Sequence, residues 1–190
     1  MTDNKKHDTK LSSTVTVSQY RKFEEEGNKT AIINFVVERF TERFISPLKR
    51  NTKHGFCMMA VNCLMIETLA CFRQGWVDTK PKDSALKAFK FFFGKNEGFK
   101  DFRQYAKSFY EDVRCGILHQ AETKNGWRII RRGDLFVPAT KTINATKFQI
   151  ELEKALKNYG ELLDTSEWNE ERGVWANFRK KMDVVCKNCD

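Results

Sequence analysis

The feature that most constrains the fold is the segment 56–72, FCMMAVNCLMIETLACF, in which 14 of 17 side chains are apolar. A helix built from it is apolar nearly all round, so it belongs in the middle of a folded unit. It falls short of the ~20 apolar residues that a membrane span needs, and Asn62 and Glu67 interrupt it. The expectation is a buried core helix over 55–74, ended by Gly75.

A central helix of this kind needs amphipathic neighbours, and the sequence supplies them. Ile32, Phe35, Val36, Phe40 and Phe44 recur three and four apart, which predicts a helix over 29–45 stopped by Pro47. Asp83 is placed to cap a short helix running to Phe93, with Gly94 behind it. Phe99, Phe102, Ala106, Phe109, Val113 and Ile117 step by 3, 4, 3, 4 and 4, one inward stripe on a helix over 99–119.

The period then changes. Lys124-Asn125-Gly126 signals a turn, and 127–130 and 135–137 read as two short strands around Arg132-Gly133-Asp134. Asn144 or Thr146 opens a fifth helix carrying Phe148, Ile150, Leu152, Leu156, Tyr159 and Leu162 or Leu163. Thr165 or Ser166 caps a sixth, with Trp168, Trp175, Phe178, Met182 and Val185. The fold expected is all-α: an up-and-down bundle of about five to six helices with a small β-hairpin insertion. Residues 1–17 are polar and without periodicity, and read as a flexible arm before a single domain over 18–190.

Charge is distributed unevenly. Residues 73–147 hold 16 Lys/Arg against 8 Asp/Glu, while the rest of the chain holds 18 against 17, so the middle carries nearly all of the net +9. Such a local surplus suits a polyanionic partner as well as it suits a solubilising surface. The N-terminus, MTDNKKHDTKLSSTV, has no apolar core of the kind an export signal carries, so a cytoplasmic protein with six reduced cysteines is expected. Cys186 and Cys189 form a CxxC, but zinc usually requires a second such pair, and a redox pair is expected beside a βαβ unit. With only three His (7, 54 and 119), a site of several His ligands is excluded, and neither metal nor cofactor is expected. No GxxxxGK[ST], GxGxxG or GxSxG occurs, which removes phosphate-loop, dinucleotide and hydrolase-elbow chemistry.

Two features remain. In FYEDVRCGILHQ (109–120), Arg114 and His119 project about 140° apart on an ideal helix and flank an outward face that also carries Glu111, Cys115 and Leu118. Apolar residues on an outward face suggest that another helix or a second subunit covers it. Glu67 is the other: a carboxylate in an apolar helix needs a cationic or hydrogen-bonding partner. Arg114 and His119 are candidates for that partner, as are a backbone group or a surface Lys.

The stretch FYEDVRCGILHQAETKNGWRI resembles the signature of the HEPN superfamily, an Arg followed four to six residues later by His near a helix end. The order of a preceding apolar helix with LMIETLACFRQG, a Phe-rich helix and a closing INATKFQIELEKALKNYGELL is similar to bacterial members, over roughly residues 30–185. The resemblance implies a helical bundle that dimerises so that two such segments face each other. It implies a metal-independent ribonuclease, often a toxin held by an antitoxin or a defence effector, or else a nucleotide-binding or protein-interaction module without catalysis. Carried over, Arg114 and His119 are the catalytic pair. Family members often have a small polar residue after the Arg, where this chain has Cys115.

The residues suit such chemistry. His119 can take or give a proton near neutral pH, and the Arg114 fork suits phosphate oxygens. One His per chain serves two proton transfers only if a two-fold dimer brings two together. Tyr110, one turn before Arg114, can position a base or sugar, and Glu67 can orient a cation. Lys124, Arg128, Arg131 and Arg132 follow closely and can hold an RNA backbone.

Overall fold

A computed structural model describes residues 8–49, 54–81 and 83–189. It is a helical bundle with a small sheet inserted, as the periodicities predict. The apolar segment forms α4 (Gly55–Gln74), closed by Gly75 in the left-handed conformation. By length and composition α4 could cross a membrane, yet 61% of its most apolar window is buried inside this fold, where it serves as the core helix. Packed against it are α5 (Ser84–Lys95), α8 (Ala145–Thr165) and α9 (Val174–Lys187). α2 (Lys29–Phe40) lies along α8, and α1 (Val17–Glu25) along α2.

The fourth predicted helix exists, but not with one pitch. A 3₁₀ stretch (Glu97–Tyr105) passes through α6 (Ala106–Ser108) and a π-helical turn (Phe109–Arg114) into α7 (Cys115–Gln120). All six residues of the inward stripe are buried. Their rings join the elements into one aromatic core. Phe102 stacks on Phe136 at 4.4 Å and Phe93 at 5.3 Å between centroids, and Phe109 lies parallel to Phe148 at 5.6 Å.

Several boundaries differ from expectation, each for a local reason. Pro47 does not stop the second helix, which continues through a π-helical turn (Thr41–Ile45) into α3 (Ser46–Lys49). The wide turn lies at the carbonyls that the proline ring would otherwise meet, and Pro47 has no N–H to leave unpaired. Gly94 lies inside α5, which ends at Asn96, whose Nδ2 donates to the Phe92 carbonyl at 2.6 Å. The sixth helix begins at Val174 after Gly173, later than Thr165 or Ser166.

α1 is an element the periodicity does not reveal. Its start is set by Thr16 and Gln19, which bond reciprocally as a capping box. Residues 8–17 are not a free arm: Leu11 and Val15 are buried, and the Glu38 and Glu42 carboxylates accept from Ser12, Ser13 and Thr14. Residues 1–7 of the expected arm lie outside the described residues.

The expected hairpin is a three-stranded sheet. β1 (Arg128–Ile130) and β2 (Phe136–Val137) do not pair with each other. β3 (Thr142–Asn144) lies between them, parallel to β1 (Ile129 opposite Ile143) and antiparallel to β2 (Phe136 opposite Ile143). Asn144 then serves three elements. It ends β3, its Nδ2 donates to the Gly133 carbonyl at 2.8 Å, and its Oδ1 accepts from the Thr146 and Lys147 N–H groups to cap α8.

Candidate functional site

The packing of α4 against the 109–120 segment puts Glu67 beside Arg114. Arg114 Nε donates to Glu67 Oε1 at 2.8 Å, and Thr79 Oγ1 donates to Glu67 Oε2 at 2.7 Å. The carboxylate is 7% exposed and both its oxygens are engaged, which answers the partner it requires. Burial works against the Arg114 charge, but the Glu67 carboxylate outweighs it and raises the guanidinium pKa above its ordinary value. This fixes the cation in place and in its charged form.

The π-helical turn shapes the rest of the corner. The Cys115 N–H bonds back to the Tyr110 carbonyl, five residues earlier, which widens the helix where Tyr110, Arg114 and Cys115 meet. The Arg114 guanidinium carbon lies 5.7 Å from the centre of the Tyr110 ring, a cation–π distance, and that ring packs against Phe89 at 5.8 Å. Burial first, and then a hydrogen bond with Cys115, push the Tyr110 hydroxyl pKa up, so it stays protonated beside the guanidinium.

His119 stands apart. It lies on the last turn of α7, exposed, and among the described residues no hydrogen-bond partner meets its ring. α7 ends one residue later, at Gln120, after which Ala121 takes a left-handed conformation. Among the described residues, no other helix covers the outward face between Arg114 and His119. Glu111 is exposed, Cys115 is half-buried and Leu118 is 39% exposed. Beside it, α4 presents Leu64 at 44% exposure, with Phe56 and Cys57 exposed further along.

Beyond His119 the chain folds back on the helix it has left. Asp112 is buried and was not singled out from sequence; its Oδ1 accepts from Asn125 Nδ2 at 2.8 Å, and its carbonyl accepts from the Lys124 N–H at 3.0 Å. The returning chain carries Lys124, whose backbone this bond holds, and then Arg128 and Arg132. Lys124 is half-buried, and Arg128 and Arg132 are exposed. Arg131 is different: its Nε donates to Thr146 Oγ1 at 2.8 Å, which ties the sheet to the first turn of α8. It is a structural strut rather than a free phosphate holder.

The structure therefore brings together Arg114, Glu67, Tyr110 and Cys115, while among the described residues the side chains of His119, Lys124, Arg128 and Arg132 meet no hydrogen-bond or ion-pair partner. Thr79 is the member that sequence reasoning missed; it lies in the loop after α4, and no spacing links it to Glu67. Among the described residues, no group of three or more His, Cys, Asp and Glu is placed to hold a metal. Compared with protein-family models, curated proteins and solved structures, the chain matches none.

Proposed function

We propose that the protein is a metal-independent endoribonuclease acting as a homodimer, with Arg114 and His119 of two protomers sharing one cleft. The observation that carries this reading is the buried Glu67–Arg114 pair on a helical segment that ends in an exposed, unengaged His119. A fixed guanidinium is suited to the charge that builds on a phosphorane, because it needs no reorganisation as the reaction proceeds. A solvent-accessible imidazole is suited to removing the proton of an RNA 2′-hydroxyl or protonating the leaving 5′-oxygen. Exposed Leu118, between the two in sequence, and Leu64 on the adjoining helix offer apolar surface for a second copy. Lys124, Arg128 and Arg132 would hold the backbone of the RNA. A toxin or defence role, with an antitoxin partner, rests on the HEPN resemblance alone.

A second reading has its own observation. Arg114 already has a carboxylate partner, and Cys115 stands where a small polar residue is common, so the same corner would bind a nucleotide, an RNA or a protein without cutting. One experiment separates the two. Purified protein in EDTA is expected to cut RNA and leave 2′,3′-cyclic phosphate ends, and His119→Ala is expected to abolish cutting with an unchanged thermal melt. Cutting that survives both His119→Ala and Arg114→Ala removes these residues from the mechanism. Binding that weakens with salt, without cutting, establishes the second reading.

A further inference from the structure

The CxxC at the end of α9 takes no part in that site, and its surroundings are unusual. Cys186 is fully buried on the last turn of α9, and Cys189 is half-buried. The chain between them closes tightly, with the Cys189 N–H donating to the Cys186 carbonyl at 2.9 Å. In a turn closed three residues apart, the two side chains eclipse and the Cα atoms stand about 6 Å apart. That separation lies inside the ~4.4–6.8 Å that a disulfide spans. The backbone is therefore already in place for a bond between the sulfurs.

Two guanidiniums, those of Arg39 and Arg21, lie near the pair. Arg39 and Arg43 both donate to the Leu11 carbonyl, and among the described residues neither has a carboxylate partner. Burial, and then the charge of Arg43, hold the Arg39 guanidinium down to about 10, while Cys189 and Cys186 act in the opposite sense. Arg21 also faces Cys186, although Glu24 and Asp183 accept from it at 2.8 and 2.7 Å. An anion forming on either sulfur would thus meet a guanidinium without a carboxylate of its own.

We propose that Cys186 and Cys189 form a reversible intramolecular disulfide by exchange with a low-molecular-weight disulfide of the glutathione type. Cys189, the more accessible thiol, gives its proton to solvent and attacks one sulfur of the small disulfide. That S–S bond breaks, and the first small thiol leaves and takes up a proton. Cys186 then loses its proton and attacks the Cys189 sulfur, expelling the second small thiol. The two protein thiols are oxidised by two electrons in total, and the small disulfide is reduced to two thiols. Arg39 stabilises the thiolates that form along the way.

The poise follows from position. Burial pushes the Cys186 thiol up to about 11, and the C-terminal end of a helix disfavours an anion. At Cys186 burial outweighs the nearby guanidiniums, so its resting form is the neutral thiol, unlike the thiolates of CxxC pairs at helix N-termini that are strong oxidants. Once formed, this disulfide should resist reduction. It would also fix the turn on which the N-terminal segment is fastened, since Thr9 Oγ1 donates to the Cys189 carbonyl at 3.0 Å.

The full chain is to be equilibrated in glutathione buffers of graded ratio, quenched in acid, denatured, alkylated and cut with trypsin. Lys187 lies between the two cysteines, so the peptides 182–187 and 188–190 stay joined only through the disulfide. The expected result is the joined pair across most ratios, its loss in Cys189→Ala, and a glutathione adduct on Cys189 in Cys186→Ser. Cys189→Ala leaves the buried sulfur in place, so it tests the idea even if Cys186→Ser fails to fold. Alkylation of both residues at every ratio, while exposed Cys57 or half-buried Cys115 carries the glutathione, would overturn the proposal.

Discussion

Replacing Arg114 with Ala strands a carboxylate inside the bundle, and the cost can be worked from its contacts. Glu67 is 7% exposed and loses a 2.8 Å charge-assisted hydrogen bond, keeping only the Thr79 hydroxyl. Removing one partner of a fully buried pair costs about 3–5 kcal/mol. The Arg114 side chain is itself 19% exposed, so water reaches the vacated space, and Thr79 still donates. Those two facts place the expected loss at about 2–3 kcal/mol. For a chain of this size that corresponds to roughly 4–12 °C in melting temperature. Glu67→Gln should cost less, about 1 kcal/mol, because the guanidinium it frees can turn toward solvent. The double variant should then be more stable than the sum of the single losses implies, by about 1–2 kcal/mol. Urea unfolding followed by far-ultraviolet circular dichroism, without RNA, measures all four corners of this cycle. Strict additivity, or an Arg114→Ala variant as stable as the parent, would refute the view that these two groups form a desolvated pair. The result also matters for the functional test, since a loss of activity in Arg114→Ala mixes chemistry with folding, whereas Arg114→Lys keeps the charge.

Two further outcomes follow from the same structure. A Cβ on Gly116 would stand 2.5 Å from the Glu122 carbonyl oxygen and 3.3 Å from the Thr123 Cα, both backbone atoms, so Gly116→Ala is expected to cost about 1–3 kcal/mol and to speed amide exchange over 121–127; unchanged exchange there would show that the returning loop is not held against α7. Burial raises the pKa of Cys63, Cys71 and Cys186 above 9.0, so above that pH the unfolded chain releases protons that the folded one keeps, and stability, undiminished below it, should fall from pH 9 upward. Arg39, lowered to about 10, acts in the opposite sense above that pH, so melting temperatures are best compared between pH 9 and 10, and a flat profile there would contradict the assignment.

The parts of the molecule that the sequence makes legible are those governed by short-range repetition. The stripe from Phe99 to Ile117 points inward even though its backbone passes through 3₁₀, α and π geometry, because each ring had to join the same aromatic core. The need of Glu67 for a partner was legible from burial cost, and Arg114 was among the candidates; that Thr79 supplies the second bond was not. The pairing of β3 between β1 and β2 was hidden because Thr142-Ile143-Asn144 is too short and polar to show alternation. Arg131 was grouped with its basic neighbours, since nothing along the chain distinguishes it from Arg132, yet packing gives it Thr146 and a place between sheet and helix.

The pattern of apolar spacing, with its capping and turn residues, determined that this chain is a helical bundle around 55–74 and which face of each helix turns inward, because those preferences act over three or four residues. Only the tertiary structure decided which side chains meet across the bundle, such as Glu67 with Arg114 and Thr79, and which, like His119, are left to solvent. Such contacts join positions far apart in sequence, and their energies depend on distance and on the water excluded around them, neither of which a local pattern encodes.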